Sequence, residues 1–93
     1  MKIEAFDNVW DAIEDDPEVR ENLKLRSELM VALTRHIKRE RLTQVQAAKL
    51  FCVSQPRISN LIHGKISAFG LDLLVKMAAA AGLRVKMQVK KAV

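Results

Sequence analysis

Apolar positions recur at helical spacing through most of the chain and switch to strict alternation after Gly82. Val9, Trp10 and Ile13 fall on one face of residues 8–15, while Asp11, Glu14 and Asp15 fall elsewhere. This is the pattern of a short amphipathic helix with Trp10 as its core anchor. Asp16-Pro17-Glu18 then supplies an N-cap, a proline at the first helical position and an acid in the first turn, which together start a new helix. Within it Leu25, Leu29, Leu33 and Ile37 repeat every fourth residue with Met30 alongside. Lys38, Arg39 and Arg41 crowd the last turn, where the helix dipole favours cations. The helix is expected to run to Arg41, and the pattern leaves open whether it breaks before Asn22.

Thr43-Gln44-Val45-Gln46 reads as a capping box, so the next helix starts at Gln44 and carries Ala47, Ala48, Leu50 and Phe51. Ser54 is a second N-cap ahead of residues 55–62, with Pro56 tolerated in the first turn. Gly64 stops that helix and residues 65–69 make a loop. Leu71, Leu74, Ala78 and Ala81 then share one face of a further helix stopped by Gly82. From Leu83 to Lys90 the alternation has the period of a half-buried strand. The predicted fold is therefore mainly α: five helices, one short and four main, with a C-terminal β-strand. It forms a single domain with an acidic segment (1–22), a helix-turn-helix core (23–82) and the strand (83–93). A lone strand needs an edge to pair with: residues 2–6, its own copy in a symmetric dimer, or another protein, the last two being favoured.

Composition narrows the function. At 93 residues the chain has room for one modest core and is near the size that gains from dimerisation. Its apolar fraction of 49% excludes a disordered tail, and the pattern fits a compact cytoplasmic domain. No signal peptide or membrane span is expected. The N-terminus turns acidic at once, and the most apolar run, residues 71–83, is short and carries Asp72 and Lys76. Cys52 is the only cysteine, so an intramolecular disulfide is excluded, and no zinc-ligand spacing accompanies it. No metal or cofactor is expected. His36 and His63 are isolated, no nucleophile is arranged with a base and an acid, and no glycine-rich phosphate loop is present. Catalytic residues are therefore not assigned, and the chain is not read as an enzyme. Met30, Met77 and Met87 read as packing residues.

Charge is segregated. Up to Asn22, eight carboxylates face two cations, a net of −6 within a chain of +5, so the remainder carries +11. The basic body suits a phosphate backbone. The acidic start is either a surface for a second, basic partner or a solvated helix that offsets the charge.

Two short helices joined by a tight turn present the second helix outward, where it can enter the major groove while the first braces it. Residues 44–62 have that layout. They resemble the helix-turn-helix of the Cro and phage-repressor (XRE) family, with Gln44, Ala48, Val53, Ile58 and Leu61 at the family's characteristic places and Gly64-Lys65 at its ending. Cys52 departs from the family's usual turn glycine; a positive φ there would cost about 1 kcal/mol. The expected DNA-contacting set is Thr43, Gln44, Ser54, Gln55, Pro56, Arg57, Ser59, Asn60 and Lys65. Gln55, aimed by the Ser54 cap, is the first choice for base readout, since glutamine can bond adenine N6 and N7 together. Asn60 offers similar chemistry, Arg57 suits guanine or phosphate, and Pro56 offers apolar contact to a thymine methyl. Gln44 resembles the family's phosphate-contacting glutamine, and Thr43, Ser59 and Lys65 are backbone-contact candidates.

The acidic start, the central motif and the alanine-rich helix followed by Gly82-Leu83 together resemble small antitoxins of the HigA kind. That resemblance implies a repressor of its own operon, binding palindromic double-stranded DNA as a homodimer and neutralising a small basic RelE- or HigB-like toxin. Val9, Trp10 and Ile13 are then the toxin-facing candidates. The alternative is a phage-type or housekeeping repressor with no toxin partner.

Overall fold

The structure, a computed structural model, describes residues 14–91. Among these are four α-helices: α1 (Pro17–Arg39), α2 (Gln44–Phe51), α3 (Gln55–Ile62) and α4 (Leu71–Ala80). A 3₁₀ turn, Ile66–Ala68, lies between α3 and α4. α2 and α3 form the closest pair, and α4 spans both α1 and α2.

Each of the first three helices starts on a side-chain cap. Asp16 accepts from the Glu18 amide at 2.9 Å, and Pro17 follows in the first turn. The Thr43 hydroxyl accepts from the Gln46 amide at 3.1 Å while the Gln46 side chain accepts from the Thr43 amide at 2.9 Å, a complete capping box. Ser54 Oγ accepts from the Arg57 amide at 3.2 Å.

All four helices end in the same way. The amides of Leu42, Val53, Lys65 and Leu83 reach back to the carbonyls of Ile37, Ala48, Asn60 and Ala78. Those of Arg41, Cys52, Gly64 and Gly82 bond Lys38, Lys49, Leu61 and Ala79. This is the Schellman motif, which needs a left-handed residue at its centre. Arg41 (φ 53°), Cys52 (φ 57°), Gly64 (φ 70°) and Gly82 (φ 75°) supply it. Leu42, Val53 and Leu83 then pack against the core, the apolar contact that accompanies the motif. Cys52 therefore has the positive φ that its place in the turn implies. Cys52→Gly is expected to stabilise the domain by about 1 kcal/mol and raise its melting temperature by several degrees, measured by thermal unfolding. An unchanged or lower melting temperature would mean that the thiol's own contacts outweigh the strain.

The core is built by Met30, Leu33 and Ile37 of α1, Ala47, Ala48 and Phe51 of α2, Ile58 and Leu61 of α3, and Leu74, Met77 and Ala78 of α4, with Phe69 from the loop. Two assignments differ from the sequence pattern. Leu25 is 48% exposed, because a row of every-fourth residues drifts about 40° per step around a helix of 3.6 residues per turn. Ser27 and Met30 take the inner face in its place. Phe69, placed in a loop by its neighbours, is 1% exposed and belongs to the core.

The expectation of five helices and a C-terminal strand is corrected: there are four helices and no strand among the described residues. Of the short helix expected at 8–15, Glu14 and Asp15 are described and are not helical; Val9, Trp10 and Ile13 lie outside the described residues. α1 runs unbroken through Asn22. Residues 83–90 alternate as a strand would, but alternation creates a ladder only when a second strand supplies the other half of its hydrogen bonds, and none lies beside them among the described residues. Leu83 is held by its bond to Ala78 and by the core, whereas Val85, Met87 and Val89 are 41, 81 and 88% exposed.

Candidate nucleic-acid interface

α3 has one buried face and one exposed one. Ile58 and Leu61, at 0 and 1% exposure, fix it to the core, while Ser54, Gln55 and Pro56 are exposed at its start and Ser59 and Asn60 are half-buried further along. The inner anchors lie three residues apart, so the side chains at 55, 56, 59 and 60 are turned away from the core. Ser54 serves as the cap, as its place in the sequence implies. Its hydroxyl takes the Arg57 amide, its carbonyl takes the Ile58 amide at 3.2 Å, and Pro56 has no amide to offer. Among the described residues, the Gln55 amide is thus the one first-turn donor of α3 without a local acceptor.

α2 leaves more. Thr43 takes the amides of Gln46 and Ala47, so those of Gln44 and Val45 are uncommitted among the described residues at the positive end of the helix dipole. Gln44 is half-buried beside them and Thr43 is exposed. The α2 start is accordingly better equipped for a phosphate than the α3 start, which is left to present side chains.

Arg57 sits differently from its exposed neighbours. Its Nη1 donates to the Ala68 carbonyl at 2.8 Å, and the guanidinium lies 5.8 Å from the centre of the Phe69 ring. Arg26 on α1 donates from its Nη1 to the carbonyls of Ile66 (3.4 Å) and Phe69 (3.2 Å). Two arginines from separate helices thus hold one short loop, and through it they fix the direction in which α3 leaves the core. Nothing in local spacing reveals this pairing, because Arg26 lies 40 residues or more from its acceptors. Ser59 and His63 make a local contact: His63 Nδ1 donates to the Ser59 carbonyl at 2.7 Å and lies 3.4 Å from the Ser59 hydroxyl. Lys65 is exposed, and its amide closes the α3 ending on Asn60.

Charge along this stretch of the chain is of one sign. No carboxylate occurs between Glu40 and Asp72, whereas Arg41, Lys49, Arg57 and Lys65 do. Arg41 and Lys49 are exposed and were not singled out by motif spacing; the acid-free run is the signal that finds them. Among the described residues there is no group of three or more His, Cys, Asp or Glu placed to hold a metal ion, and no helix is long and apolar enough to cross a membrane.

Residues 12–90 match a family model described as a helix-turn-helix domain. A search of curated proteins finds no match. The matched span takes in all four helices and the segment after α4, and the α2–α3 pair is the part whose geometry places a helix for groove entry. The chain belongs to the helix-turn-helix domain family, whose coarse functional class is the DNA-binding regulator.

Proposed function

We propose that the protein is a sequence-specific repressor that binds a palindromic operator as a homodimer, with α3 in the major groove. The carrying observation is the two-sided character of α3: anchored by Ile58 and Leu61, it turns the exposed Ser54, Gln55 and Pro56 outward from a region without carboxylates. Gln55 reads a base, with Asn60 as a second reader and Pro56 lying against a thymine methyl. Gln44 and the free amides at the α2 start hold a phosphate, and Thr43, Ser59 and Lys65 flank the backbone. Arg57 enters this reading as a positioning residue.

We further propose that the protein acts as the antitoxin of a type II toxin-antitoxin pair. The support is the charge asymmetry. The acidic start would be repelled by DNA, yet it complements a small basic protein of the RelE or HigB kind, with Val9, Trp10 and Ile13 as its apolar contacts. Footprinting on the DNA upstream of its own gene, with and without the product of the neighbouring gene, tests both proposals. The expected result is protection of two half-sites about one helical turn apart, altered by a small basic protein that co-purifies with the chain. Protection without any such partner at micromolar concentration would leave the alternative, a repressor with no toxin. No protected site would overturn the repressor reading.

A further inference from the structure

We propose that residues 84–91 are a cationic arm that follows the DNA phosphate backbone beside the site read by α3; this rests on the DNA-binding reading above. All eight residues are exposed and lie outside any helix or strand. Four of them, Arg84, Lys86, Lys90 and Lys91, are cations, and no carboxylate follows Asp72 in the sequence. Like charges at that density repel one another and favour an extended course. In an extended chain alternate side chains share a side at intervals of about 6.6 Å, so Arg84, Lys86 and Lys90 form one row with Gln88 between them. That interval is close to the separation of successive phosphates along a strand. A row of cations spaced like the anions opposite neutralises several phosphates without reading any base.

The root of the arm lies near the turn that leads into α3. Leu83 is fixed by its amide bond to Ala78 at 2.9 Å and by packing on the core. Ala79 and Ala80, at the end of α4, line the same shallow apolar groove as Cys52 and Val53, the turn that leads into the Ser54 cap. The arm therefore leaves the domain next to the entry to α3, and eight extended residues reach at most about 28 Å, enough to follow the duplex beyond the base pairs α3 touches. The opposite face of the segment carries Val85, Met87 and Val89, which a protein partner could cover. Four cations in eight residues, with no acid nearby in sequence, favour phosphate.

The test uses the full chain with Arg84→Gln, Lys86→Gln, Lys90→Gln and Lys91→Gln combined, and a second variant with Val85→Ser, Met87→Ser and Val89→Ser. Binding to a labelled random-sequence duplex is measured by fluorescence anisotropy over a salt series, with circular dichroism to compare folding. Releasing four phosphate contacts should make the slope of log affinity against log salt shallower by about 3 to 4 units. It should also weaken binding at low salt by about 100-fold or more, with helix content unchanged. The serine variant should keep the parent slope. A slope unchanged by the glutamine substitutions, while the parent binds, overturns the arm alone. An equal loss in the serine variant would mean that the segment acts through its apolar face and not through its row of cations, and also overturns it. A parent chain that binds no duplex even at the lowest salt overturns the DNA-binding reading itself.

Discussion

Phe51→Ala is expected to cost about 3 to 5 kcal/mol, a large part of the stability of a domain this small. Phe51 is 1% exposed at the end of α2 and takes an edge-on contact from the His36 ring, with 6.3 Å between centroids and 72° between planes. At the end of α2 it meets His36 of α1 and lines a groove with Leu73 and Met77 of α4, so its removal leaves a cavity that none of the three helices can close without moving. The melting temperature should fall by about 15 to 30 °C, or the domain should fail to unfold cooperatively at all. Phe51→Leu, which keeps most of the volume, should cost about 1 to 1.5 kcal/mol. A loss below about 1 kcal/mol for Phe51→Ala would contradict the enclosed environment described for the ring.

Gln55→Ala is expected to leave melting unchanged, because the side chain is exposed, while weakening binding to the preferred duplex by about 1 to 3 kcal/mol. The loss should concentrate at one base pair of each half-site, seen as relaxed preference when sequences are selected from a random pool. Arg57→Ala should do the opposite. Loss of its charge-assisted bond to Ala68 and its contact with Phe69 should lower stability by about 1 to 2 kcal/mol without changing which bases are preferred. If Arg57→Ala shifts base preference while Gln55→Ala does not, the assignment of reader and positioner is reversed.

The contrast between these two residues shows what sequence alone could tell. Capping is local chemistry, so Asp16, Thr43 and Ser54 announced three of the four helix starts among the described residues; the fourth, at Leu71, has no side-chain cap. The spacing of Ile58 and Leu61 likewise announced which face of α3 is buried, and with it the outward position of Gln55. The left-handed stops at Gly64 and Gly82 were legible because glycine advertises them, whereas the one at Arg41 was not. Arg57 and Gln55 stand two residues apart in the same turn, and no local rule separates a side chain that folds back to Ala68 from one that projects. That distinction depends on where the loop to Phe69 returns, which is a tertiary fact. The misread strand has the same origin. Alternation describes one chain segment, and a sheet is a relation between two.

The loop held by Arg26 and Arg57 also determines what could be transplanted from this protein. A recognition helix is often pictured as an interchangeable cartridge, to be lifted out and set into another scaffold. Here the cartridge is longer than the helix. Residues 55–62 moved alone would take Gln55 and Asn60 with them and leave behind the carbonyls of Ile66, Ala68 and Phe69 against which the helix is aimed. A chimaera that keeps this protein's sequence preference would need residues 54–69 together with an arginine at the position of Arg26.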